Sequence, residues 1–205
     1  MSETLRGTAC HEAGHATVAT NEGYEVVSVF IWEVSTSDPK GKWKGVTNYA
    51  PKSFTCPDCG AAIEDAHDEC QVGSLTDNCA PCETEKLRFS KRVMAGECAT
   101  RELDPEDHDW DNSNEDRARL FRAYPNSDRG AILAARNEAS TETIRKSKDA
   151  ITEIQDLLIQ RAKTAPRFEV VCVSGPEIRA IYQKHISNRS EQKDGAAETN
   201  VQLPM

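Results

Sequence analysis

The sequence predicts an α+β fold, mainly helical, with a small antiparallel β element and an inserted cysteine-rich segment. Three observations lead there. Apolar or small residues recur at helical spacing in several stretches, one β-branched run has an adjacent partner, and residues 54–84 hold five of the eight cysteines. A chain of 205 residues and 22.7 kDa is long enough for one full hydrophobic core and a small satellite. Lys plus Arg number 25 against 34 Asp plus Glu, a formal charge of -9 that repels phosphate backbones, so nucleic acid is not an expected partner. No apolar run reaches the length of a membrane span, and the first thirty residues lack the pattern of a secretory signal. A soluble, cytoplasmic protein is expected.

The elements follow in order. In residues 7–20, Ala9, Ala13, Ala16 and Thr20 fall three and four apart and give a helix a small, closely packing face. From Tyr24 to Val34 the chain turns to Val26, Val27, Val29, Phe30 and Ile31, which predicts a strand, and Trp43 to Tyr49 reads as its antiparallel partner. Residues 54–84 have almost no large apolar side chains and need a staple. Leu87, Met94 and Cys98 place a helix over 85–103, stopped by Asp104 and Pro105. Ser113 and Asp116 form a capping pattern ahead of a helix with Ala118 and Phe121 on one face. Ile151, Ile154, Leu157 and Leu158 mark another helix, and a last one follows Ser174. One domain over 1–187, interrupted by the insertion at 54–84, and a disordered polar tail over 188–205 complete the expected organisation.

The segment HEAGH sets His11 and His15 four residues apart, so on a helix both imidazoles reach the same ion. Glu12 beside them is placed as a general base for a water that zinc has acidified, the chemistry of peptide hydrolysis. Gly14, inside the helix, marks a close backbone contact. A second metal signal is CPDC at Cys56 and Cys59 followed by CAPC at Cys79 and Cys82, nineteen residues between the pairs. That spacing fits a four-thiolate zinc ribbon, a closed shell with a structural role. Two zinc ions are therefore expected, one catalytic and one structural. His67 and Cys70 between the pairs read as loop residues, and Cys10, Cys98 and Cys172 as small buried hydrophobes. His108 reads as a solvated loop residue, and Arg117, Arg119 and Arg122 as a solvated helix face.

Residues 9–19, ACHEAGHATVA, resemble the zinc-binding helix of the FtsH-type AAA proteases, whose form is xxHEAGHAxVx. EVVSVFIWE is similar to the following strand, KGVTNYAP to the edge strand of form LGxTxxxP, VMAGECATRE to the segment LGGRxAEE with Gly96 at the second glycine, and SNEDRARLF to SNDLxRAT. The resemblance covers roughly residues 7–124. It implies a zinc metalloendopeptidase domain acting on a polypeptide substrate, with Gly45, Val46 and Thr47 of the edge strand pairing with the extended peptide. It also implies an aspartate as third ligand. Counted without gaps from Gly96, that ligand falls on Asn114, a weak neutral donor. Asp111, one turn earlier, is the other leading candidate within 109–116; Asp109 and Glu115 stand behind it. The chain has no G-x-x-x-x-G-K-[ST] loop, so an ATPase or adaptor acting in trans is a candidate partner of what reads as a standalone peptidase domain. The rival reading is a zinc-ribbon adaptor for protein–protein interaction whose peptidase-like part lost activity through Asn114.

Overall fold

The computed structural model describes residues 4–35, 42–107 and 114–197. The chain runs α1 (Leu5–Asn21), β1 (Val26–Ser35), β2 (Lys42–Tyr49), β3 (Phe54–Thr55), β4 (Ala62–Ile63), α2 (Glu69–Gly73) and α3 (Ala80–Leu103). After a single 3-10 turn at Pro105–Asp107 come α4 (Asn114–Ala123), α5 (Arg129–Lys146), α6 (Lys148–Thr164), β5 (Val171–Ser174) and α7 (Gly175–Ala197). The fold is α+β. β1 is the middle strand of an antiparallel sheet of order β2-β1-β5, and β3 and β4 form a separate hairpin inside the cysteine-rich segment.

Helix α1 sits at the centre, packed against α3, α6 and the inner face of the sheet. Thr4 starts it, its hydroxyl accepting from the Gly7 N–H at 2.9 Å. Ala9, Ala13 and Ala16 are fully buried, as the small-residue spacing predicts, and burial continues through Ala19. Such a helix has no broad polar face, because neighbours cover nearly every side. At Gly14 a Cβ would lie 2.5 Å from the Ala99 Cβ and 2.8 Å from the Ala95 carbonyl oxygen, so only glycine lets α1 and α3 approach this closely.

The sheet register pairs Val29 with Thr47 and Ile31 with Gly45, and Val29 with Val173 on the other side. Val29 and Ile31 face the core with no exposed surface, the period-two pattern of a half-buried strand. β5 was not legible in the sequence, since four residues are too few to display a period. Helix α5 was missed for a different reason. Its buried positions are Ser140, Thr141, Thr143 and Ile144, and the Ser140 and Thr143 hydroxyls donate back to the Arg136 and Ala139 carbonyls. Polar side chains satisfied within their own helix can be buried without leaving an apolar stripe.

Two further expectations need correction. Helix α3 starts at Ala80 rather than Glu85, with Cys79 as its N-cap residue and Pro81 in its first turn, so the second cysteine pair opens the helix instead of ending a loop. The polar tail expected to be disordered from 188 instead extends the last helix. It runs to Ala197, consistent with helix formers such as Glu191, Gln192, Lys193, Ala196 and Ala197, and 198–205 fall outside the described residues.

Candidate metal centres

On α1, His11 and His15 stand one turn apart and meet, their Nε2 atoms 3.0 Å from each other. The third member is Asp116, from the first turn of α4, with Oδ2 3.3 Å from the His11 Nε2 and 3.2 Å from the His15 Nε2. These edges match a tetrahedral shell. A metal–ligand bond of about 2.0–2.1 Å implies ligand–ligand edges of roughly 3.3 Å. The Asp116 Oδ2 is buried and has no hydrogen-bond partner, so its lone pairs face the imidazoles unsatisfied.

The tautomer of His15 follows from its other nitrogen. The Nδ1–H donates to the Arg92 carbonyl oxygen at 2.8 Å, which leaves a lone pair on Nε2 directed at the cluster. Burial alone would push the Asp116 carboxyl up, but the two imidazoles set against it hold it well below the usual carboxylate range. A carboxylate and imidazole nitrogens converging on one buried point are the donor set of a divalent ion.

Two glycines make room. A Cβ at Gly96 would lie 2.4 Å from the His11 Nε2, and one at Gly45 would lie 2.4 Å from the Glu12 Cγ. The helix α3 and the edge strand β2 therefore press directly on the two side chains between them. Thr47 donates to the Glu12 Oε2 at 2.7 Å and fixes where that carboxylate points. A cavity of about 310 Å³ opens onto the cluster, lined among others by His11, Glu12, His15, Tyr49, Arg92 and Asp116.

The sequence-based ligand choices divide. His11, His15 and Glu12 stand together. Asn114 does not join them: it is exposed at the start of α4, and the carboxylate two positions later turns inward instead. Asp111, Asp109 and His108 lie outside the described residues. Asp116, read from the sequence as the far end of a capping pattern, is instead the converging carboxylate; Glu115 is exposed on the cavity rim. Of the edge-strand residues, Val46 is 40% exposed, Gly45 leaves room for the Glu12 side chain and Thr47 bonds to it, and all three line the cavity. On β2 only β1 is paired among the described residues, so the outer backbone edge is free.

The cysteine cluster has a different origin. The Cys59 N–H approaches the Cys56 Sγ at 3.5 Å, and Gly60 at φ +73° closes the first knuckle with its N–H on the Cys56 carbonyl. The second knuckle is entered through Asn78 at φ 60° and continues into α3. Cys56 and Cys79 lie 3.4 Å apart at sulfur, Cys59 and Cys82 3.6 Å, and all four sulfurs fall within 4.8 Å of one another. Zn–S bonds of about 2.3 Å imply edges near 3.8 Å, whereas a disulfide requires about 2.05 Å. Four free thiols gathered at that spacing fit a metal shell and not crosslinks.

His67 and Cys70 stay out of the cluster. The His67 Nε2–H donates to the Ala50 carbonyl oxygen, 2.9 Å away, and the ring stacks on Tyr49 at 4.9 Å between ring centres. Burial, with help from the Arg92 charge, pushes it down to about 4. Cys10 and Cys98 are buried, their thiols pushed up by burial to about 12 and about 11, while Cys172 is only half-buried. The arginines of α4 are not a solvated face. Arg117 forks onto Glu97, and Arg119 and Arg122 both reach Glu69 of α2. Arg119 also donates to the His67 carbonyl, so the cysteine-rich segment is tied to the helix that carries Asp116. No family model matches the sequence, and no curated protein is similar to it. Among the described residues no helix is long and apolar enough to cross a membrane.

Proposed function

We propose that the chain is a zinc metalloendopeptidase domain of the FtsH type, with His11, His15 and Asp116 holding the catalytic ion and the four cysteines holding a structural one. The observation that carries this reading is the convergence of three donor atoms at 3.0 to 3.3 Å in a cavity that also contains the Glu12 carboxylate. An ion held there would polarise both a water molecule and the peptide carbonyl. Glu12, steered by Thr47, takes the proton as the water oxygen adds to the carbonyl carbon, and returns it to the amine as the C–N bond breaks. His15, oriented by its Nδ1–H bond to the Arg92 carbonyl, would direct its Nε2 lone pair at an ion held there. The free edge of β2 would align the peptide as an added strand.

Asp116 beside the two histidines favours this reading over the adaptor one, which depended on Asn114 as third ligand. The test is Glu12→Gln in zinc-loaded protein. Two zinc ions should remain bound while cleavage of an unfolded protein substrate falls by about 10²- to 10⁴-fold, the usual worth of a general base. Equal cleavage by this variant and the unaltered protein would refute the mechanism.

A further inference from the structure

Asp116 reaches the two histidines from α4, a helix of ten residues, so whatever seats α4 decides whether the third donor is in place. Two elements hold it. On one side Arg117 forks onto Glu97 of α3, its Nε and Nη2 2.9 and 2.7 Å from the two carboxylate oxygens. On the other side stands α2, the five-residue helix of the cysteine-rich segment. Glu69 of α2 meets Arg119 at 3.4 Å and Arg122 at 2.7 Å, and Arg119 also donates to the His67 carbonyl oxygen at 3.1 Å. A Cβ at Gly73 would lie 2.9 Å from the Arg122 carbonyl oxygen, so the two helices touch at the backbone. Val72 and Leu120, both fully buried, belong to one apolar cluster.

Helix α2 is too short to persist by itself. Its internal bonds are local: Asp68 caps Cys70 and Gln71, and the Gln71 side chain accepts from Glu64 and Asp65. The helix rises from the loop that the cysteines close, with Cys56 and Cys59 at one end and Cys79 and Cys82 at the other, their sulfurs within 4.8 Å of one another. An ion shared by both ends removes the freedom of that loop, and its loss returns it. The cluster is also open to chemistry. Cys59 is exposed, and the sulfurs pair at 3.4 and 3.6 Å, a small movement from a disulfide.

We infer that the cysteine cluster is an oxidation-sensitive control site for the histidine–aspartate site, acting through the contact of α2 with α4. The oxidant is a hydroperoxide. One thiolate attacks its O–O bond and becomes a sulfenic acid; a second thiolate attacks that sulfur, the S–S bond forms, and the hydroxyl leaves as water. With hydrogen peroxide, two thiols lose two electrons and two protons and the peroxide ends as two waters. A shell reduced to two thiolates no longer closes around a divalent ion. The loop relaxes, α2 stops bracing α4, and Asp116 is held from the α3 side alone. The inference rests on the proposed occupancy of both sites, but its readout is metal affinity rather than hydrolysis.

The full chain, loaded with two zinc ions, is titrated with a competing chelator before and after treatment with hydrogen peroxide. Zinc is counted by atomic absorption and disulfides by mass spectrometry. The cysteine-bound ion should be lost, and the histidine–aspartate site should hold its ion about 5- to 150-fold more weakly, the usual range for coupled sites, with recovery on adding dithiothreitol and zinc. Equal affinity in the oxidised and reduced chains overturns the inference, as does a cysteine cluster that keeps its ion in peroxide. Circular dichroism separates this effect from general unfolding. If the oxidised chain loses its helical signal, reduced Glu69→Gln decides, because it retains every ligand: a weaker hold at the histidine–aspartate site supports the coupling, and an unchanged hold overturns it. Coupling in a chain that cleaves no peptide would uphold the inference and sink the peptidase reading, whereas cleavage with an ion indifferent to the cysteines would do the reverse.

Discussion

At the cysteine cluster the ligands come from two tight knuckles, and the buried apolar side chains between them are few: Ile63, Ala66, Val72 and Leu75. At the histidine cluster the ligands project from α1 and α4, with α1 already wedged between α3, α6 and the sheet. A segment with so little apolar burial depends on its ion for its shape, whereas helices with a continuous core keep theirs without one. An ion would thus fold the one site and merely load the other. Burial raises the Cys82 thiol, so assembling a metal shell there must displace a firmly held proton.

The contrast can be broken in order of expected effect. Cys82→Ser should be the most damaging, with loss of one zinc ion by atomic absorption and a non-cooperative or strongly lowered melting transition, because structural zinc in small sites supplies about 10–16 kcal/mol of apparent binding energy. Asp116→Ala should remove the other ion and all hydrolysis while circular dichroism and melting stay close to those of the intact chain; Asn114→Ala should change neither. Gly96→Ala drives a methyl group into the His11 ring, and about a tenfold or greater weakening of the second ion is expected by chelator competition. Glu69→Gln cuts the tie between α2 and α4 and should cost about 1 kcal/mol or less of stability, since both arginines are partly exposed. Its sharper readout is a weaker hold on the Asp116-bound ion with the cysteine-bound ion unchanged.

The smallest effect is a pH slope. His67 sits at about 4 in the folded chain against an ordinary value of 6.5, so between these values the unfolded chain takes up a proton that the folded chain refuses. Stability should therefore be insensitive to this residue above pH 6.5 and decline as pH falls toward 4. His67→Gln should flatten that part of the melting-temperature profile, and an unchanged slope would show that other groups produce it.

What the sequence disclosed tracks how local each signal is. HEAGH and the two CxxC pairs put their ligands within one turn of backbone, so spacing alone placed His11, His15 and the four sulfurs. Asp116 comes from another helix across a connection of irregular length, and a count along the chain cannot see where that helix begins. Helix α5 stayed hidden because hydroxyls bonded to their own helix occupy its inner face.

Helix α3 begins on Cys79, holds Cys82 in its first turn and passes His11 at Gly96, about 21 Å further along its axis at ~1.5 Å per residue. The cysteine-rich segment is therefore not a detachable module hung on the helical scaffold. Trimming it at either knuckle would amputate the head of the rod against which the first imidazole rests, and a chain shortened by such a deletion would inherit a loosened seat for any ion held there.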